Sequence, residues 1–209
     1  MANDDLSGLV VTAALVQWLM AQSKRRYSYR IIFIPETIGS IVYLSKHLKQ
    51  MQKKVIAGFN ITCVGDERTF SFLPSRTGNT LADRVSLHIL KHHAPDFIEY
   101  EFNHRGSDER QYCNALVNLP VASIMRSKYR EYPEYHTSLD DLSLISQAGL
   151  KGSYDMIKRC LQALEINRIW ITKVVGEPFF SKYGLRKTIG YGTVIPDDAQ
   201  NMSHFVTYS

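Results

Sequence analysis

No apolar run in this sequence is long enough to cross a membrane. The longest, residues 9–21, falls short of the ~20 residues that a bilayer core demands and reads instead as a buried helix. It also lacks the flanks of a secretory leader. Asn3, Asp4 and Asp5 stand before it and Lys24, Arg25 and Arg26 after it, the reverse of the usual charge order, so a cytoplasmic location is expected. Cysteine is scarce. Cys63, Cys113 and Cys160 are odd in number and show no CxxC or Cys/His spacing, which argues against a disulfide framework or a cysteine zinc site and predicts reduced thiols. Repeats, low-complexity linkers, heptads, zinc fingers and RNA-binding signatures are all missing. The net charge is +5, but Lys and Arg are scattered rather than gathered into a stripe, so neither nucleic acid nor a membrane is an expected partner.

What is there is enough for one sizeable core: 209 residues, of which 44% are hydrophobic. Helical and strand patterns alternate. Residues 7–22 read as an apolar helix and 30–35 (RIIFIP) as a buried strand. Residues 37–53 carry Ile38, Ile41, Val42, Leu44, Leu48 and Met51 at roughly helical spacing. Strands are predicted over 55–64 and 69–73, joined as a hairpin through a turn at Gly65-Asp66. An amphipathic helix over 81–92, a strand over 97–102, a short helix over 110–116 and an apolar strand over 121–125 follow. A loop over 126–142 then leads to a helix over 150–165. This alternation predicts a three-layer α/β/α sandwich, whose ligand sites lie at the carboxyl ends of its strands. From residue 169 onward Gly and Pro recur, as in a linker or a second domain.

Three polar residues stand where such a sheet would present them together: Asp4 before the first helix, Glu36 directly after RIIFIP, and His136 in the loop after the last strand. Carboxylate and imidazole suit catalytic zinc, and an unligated Glu beside a metal can act as base on its water. Residue type alone leaves plainer readings open: an N-cap for Asp4, a cap or surface charge for Glu36, a solvated His136. His92-His93 reads as a helix end where cations meet the negative dipole.

Four words narrow the choice: Ala2-Asn3-Asp4-Asp5-Leu6-Ser7-Gly8, Pro35-Glu36-Thr37-Ile38-Gly39-Ser40, Gly106-Ser107-Asp108-Glu109-Arg110-Gln111-Tyr112 and Glu134-Tyr135-His136-Thr137-Ser138-Leu139-Asp140. In this order they resemble the aminopeptidase-like family associated with bacterial polysaccharide biosynthesis, a branch of the zinc exopeptidases. The resemblance runs from residue 2 to about 184. It implies a zinc-exopeptidase-like sandwich with a mixed central sheet over 1–168, and a linker or the remnant of a winged-helix-like domain over 169–209. It further implies hydrolysis of a peptide, aminoacyl or amide substrate with one zinc ion. Asp4 and His136 would be metal ligands, Glu36 the base, and Ser107, Asp108, Arg110 and Tyr135 would shape the substrate pocket.

The sequence departs from that pattern in places. Thr37 stands where two-metal relatives carry a second Glu, and Thr62 or Cys63 where they carry a further Asp. Asp66, a few residues on, is kept as a metal candidate beside its reading as a turn residue. The relatives' His-Pro-Ser word before Ala-Asn-Asp, whose His is their first zinc ligand, has no counterpart after Met1. Met1 is therefore expected to be an internal methionine of a protein truncated here at both ends, with zinc weakly held or absent. The alternative is a non-catalytic binding module or inactive fragment of a polysaccharide-biosynthesis protein.

Overall fold

A computed structural model describes residues 1–169 and positions 171, 175, 176, 179 and 182. The chain divides into two units, Met1–Ile166 and Asn167–Ser209, and the fold and the site belong to the first. The linker or winged-helix remnant expected from residue 169 onward lies, those few positions apart, outside the described residues.

The first unit opens with a distorted turn, Ala2–Leu6, that runs into helix α1 (Ser7–Met20). Helix α2 (Ile38–Lys54), strand β1 (Gly58–Asn60), strand β2 (Ser71–Leu73) and helix α3 (Leu81–His93) follow. Then come strand β3 (Ile98–Glu99), the short helix α4 (Glu109–Tyr112), strand β4 (Val121–Met125) and helix α5 (Gln147–Ile166). The sheet is mixed, in the order β1-β4-β2-β3, with β4 parallel to β1 and antiparallel to β2.

Strand β4 is central, and all five of its residues are buried, as a strand covered on both faces requires. Its side chains alternate. Ala122 and Ile124 join Val11 and Leu15 of α1, Leu90 of α3 and Ile157 of α5 in the main core, while Val121 packs with Leu44 of α2 and Tyr112 of α4. Helices α1, α3 and α5 thus cover one face and α2 and α4 the other, which is the expected three-layer sandwich. Helix α3 starts where its sequence says it should. Thr80 accepts from the Asp83 amide and Asp83 from the Thr80 amide, a reciprocal capping box, and Lys91, His92 and His93 close its last turn against the negative dipole end.

Two expectations are corrected. Strands β1 and β2 form no hairpin, because β4 lies between them and pairs with both. The turn at Gly65-Asp66 instead opens a crossing, with Asp66 buried beneath it. Residues 30–35 are not a strand. β-branched residues favour a strand only against a partner edge, and among the described residues this segment has none. It is tethered instead at its ends, by Glu165, which accepts from Tyr29 Oη (2.6 Å) and the Arg26 amide (2.6 Å), and by the turn into α2. The strands predicted over 55–64 and 97–102 shorten to three and two residues. All three cysteines are free and buried. Among the described residues, no helix is long and apolar enough to cross a membrane.

Candidate active site

The turn before α1 buries Asn3 and Asp4 because Asp140 collects their backbone. Oδ1 of Asp140 accepts from the Asn3 amide (2.6 Å) and Oδ2 from the Asp4 amide (3.2 Å) and from Tyr132 Oη (3.3 Å). So held, the Asp4 carboxylate meets His136, whose Nε2 stands 3.2 Å from Oδ2. Its other oxygen accepts from Thr62 Oγ1 (3.3 Å), which also donates to Asp5 (2.6 Å). Burial, then the hydrogen bond and negative charge of neighbouring Asp5, push the Asp4 carboxyl up to about 8, with Glu36 adding to the rise and Thr62 opposing it. His136 lies at φ 55° and stacks on Tyr135, ring centroids 4.0 Å apart.

Glu36 ends the tethered segment, and Thr37 turns sharply after it. Thr37 has φ 60° and ψ −69°, a conformation that costs a β-branched residue about 1–3 kcal/mol and persists only where its surroundings impose it. The surroundings are Asp108, which accepts from the Thr37 amide (2.8 Å), and Arg110, which donates to Thr37 Oγ1 (2.7 Å). Partial burial and the charges of Asp5 and Asp108 raise the Glu36 carboxyl above its ordinary range, against Arg110. The loop carrying Asp108 is anchored by Glu109. This fully buried carboxylate accepts from the Gly106 and Ser107 amides, Tyr129 Oη and, with Ser107 Oγ, from Asn60 at the carboxyl end of β1.

The sequence profile of a family described as Domain of unknown function (DUF4910) matches residues 1–167. The chain belongs to this family. A Clostridium acetobutylicum protein, named as a polysaccharide biosynthesis protein with aminopeptidase-like domain, is 36% identical to this DUF4910 chain over 199 residues, 95% of the chain and 45% of that protein. The crystal structure of a peptidase from Clostridium acetobutylicum is similar at a TM-score of 0.77 and 30% identity, covering 98% of this chain and 49% of that one. The resemblance carried by the four words is thereby shown. BSAP, a zinc aminopeptidase from Bacillus subtilis, and an aminopeptidase from Aneurinibacillus sp. strain AM-1 share the fold, with TM-scores of 0.63 and 0.62 at 20% and 17% identity. They cover 82% and 84% of this chain, which covers 44% and 42% of theirs. The chain spans under half the length of these relatives.

The DUF4910 domain thus brings Asp4, His136 and Tyr135 into contact, and sets Glu36 and Asp108 within electrostatic reach of Asp5, with Arg110 acting on Glu36. It keeps Asp66 apart. Oδ1 of Asp66 accepts from Ser127 Oγ (3.0 Å) and the Arg68 amide (2.9 Å), and Oδ2 from Asn3 Nδ2 (3.0 Å) and the Ser127 amide (3.0 Å). Four donors fill the carboxylate's acceptor sites, so Asp66 acts as a structural brace and not as a ligand. Cys63 is buried beside Asp4, and burial and then the Asp4 charge push its thiol up. Donor chemistry at Asp4 and His136 fits zinc: a crowd of carboxylates that raise one another's pKa is one that a cation would relieve. The donor count stops at two. Among the described residues no three of His, Cys, Asp and Glu converge as a metal site, and catalytic zinc commonly takes three.

Proposed function

We propose that this chain carries the hydrolytic half-site of a zinc-dependent aminopeptidase-like hydrolase of peptide or amide bonds, working in polysaccharide biosynthesis. The observation that carries this reading is the 3.2 Å contact of His136 with a buried Asp4 whose neighbours Asp5 and Glu36 are also carboxylates. Asp4 and His136 would hold one zinc ion, together with a further donor. Zinc at such a place polarises a carbonyl and lowers the pKa of water towards ~7.

The chain's own residues suit the proton movements. Glu36, with its raised pKa, takes a proton from the attacking water and returns it to the leaving amine. Asp108 and Arg110 hold Thr37 and so aim Glu36. Nε of Arg110 is buried and meets no acceptor among the described residues. Tyr135, its hydroxyl pushed up to about 12 by burial and then Asp4, stays protonated at neutral pH and can donate to the substrate carbonyl.

The test is elemental analysis of zinc in the purified chain and its His136→Ala variant, with chelator-sensitive release from aminoacyl anilides assayed alongside. Zinc lost in the variant, with hydrolysis abolished by chelator, supports the proposal. Zinc-independent behaviour of both favours the second reading, a non-catalytic binding module. The two-donor count among the described residues supports that second reading.

A further inference from the structure

Asp4 and His136 come from distant parts of the first unit's sequence, so their contact depends on what holds the two turns in place. Asp140 holds the Asp4 turn by its backbone amides. The His136 side chain is 59% exposed, and its backbone sits at a left-handed φ of 55°. Burial therefore does not fix this ring. The Asp4 contact and the stack on Tyr135 do.

Both turns lead back to Tyr132, which is buried in a cluster with Cys63, Leu73, Met125 and Tyr129. Its hydroxyl donates to Oδ2 of Asp140 (3.3 Å), the same oxygen that accepts from the Asp4 amide, and stands 3.8 Å from Cys63 Sγ. Burial and then Cys63 raise the phenol, so Oη stays protonated at neutral pH and keeps its donor role. The Tyr132 ring meets that of Tyr135 at 77°, centroids 5.6 Å apart, an edge-to-face pair that sets the tilt of the outer ring. The Tyr132 carbonyl accepts from the Tyr135 amide (3.1 Å) and closes the turn between them. Tyr135 in its turn carries the His136 stack.

We infer that Tyr132 is the positioning residue common to both donors. Its hydroxyl sets Asp4 through Asp140, and its ring sets His136 through Tyr135. One side chain thereby fixes the two groups relative to each other, which neither turn does alone. The value of this for metal holding rests on the reading of Asp4 and His136 as zinc donors, whereas the two linkages stand on geometry. Residues that orient ligands from behind govern metal affinity by about 10–100-fold.

The two linkages separate by substitution, since Tyr132→Phe removes the hydroxyl and keeps the ring while Tyr132→Leu removes both. In the zinc-free chain, NMR follows the Asp4 amide and the His136 ring, whose shifts report on the stack over Tyr135. Tyr132→Phe is expected to move the Asp4 amide signal and leave the His136 ring shift in place; Tyr132→Leu moves the amide and removes most of that ring shift. Thr80→Ala, which loosens α3 by losing its cap, serves as the stability control and leaves both signals unmoved. An Asp4 amide unmoved in Tyr132→Phe overturns the inference, even where Tyr132→Leu fails to fold. Equal movement in Thr80→Ala also overturns it, because general loosening would then explain the signals. Zinc titration of the same proteins should show binding about tenfold weaker in Tyr132→Phe. Equal zinc affinity in parent and variant overturns the positioning role. Shifts as expected with no zinc bound even by the parent chain support the two linkages and contradict the zinc reading instead.

Discussion

A carboxylate that accepts from two consecutive backbone amides fixes the path of the chain as well as its own position, and Asp140 does this for Asn3 and Asp4. Asp140→Ala leaves those amides and Tyr132 Oη without their acceptor and is expected to cost about 3 kcal/mol, read as a lower urea midpoint, with Asp140→Asn recovering part of the loss. Asp4 itself gives a pH signature. Its carboxyl is raised to about 8 in the folded chain against ~4 unfolded, so the folded state binds the extra proton between those values. The contribution of Asp4 to the stability of the metal-free chain should therefore be fullest below about pH 4 and fall as pH rises towards 8. In Asp4→Asn the melting temperature should lose most of that dependence; an unchanged slope would contradict the assignment. At this scale the sequence words carried Asp4, Glu36 and His136, because ligand-type residues in a recognisable order are legible one by one. The roles of Asp140, Glu109 and Asp66 were not legible. A brace is defined by the amides it reaches, and those of Asn3 lie 137 residues from Asp140.

Among the elements, α3 was the most readable, since its capping box and its apolar spacing are both local. Thr80→Ala should cost about 1 kcal/mol in thermal or urea unfolding, the usual effect of losing such a cap. Strand β4 was also legible, as five consecutive buried residues of apolar or small type. Its central place was not. Nothing local in residues 121–125 says that they insert between β1 and β2, which is why a hairpin was expected where the sheet has a crossover. Ile124→Ala tests that placement. A residue buried between strands and helices should cost about 2–5 kcal/mol on truncation, whereas an edge residue would cost far less. Residues 30–35 show the converse failure. Their strong β propensity led to the expectation of a buried strand, which the structure does not form, because propensity cannot state whether a partner edge lies beside the segment.

For the molecule as a whole, three layers place the ends of β1 and β4, the turn before α1 and the loops around 107 and 136 on one side of the sheet. Thr37, Cys63 and His136, all at left-handed φ, gather there too, as strained residues do where surrounding structure over-determines a site. The whole-molecule reading is that this DUF4910 domain keeps the aminopeptidase fold and presents two zinc-type donors in contact, with the Glu36 carboxylate within electrostatic reach of Asp4. The most direct measurement is a zinc titration of the chain followed at the imidazole nitrogens of His136 by NMR. The account predicts that zinc perturbs the His136 Nε2 resonance before those of the exposed His88 and His92, and that Asp4→Asn removes this preference. A His136 resonance that stays unmoved while other histidines respond would contradict it.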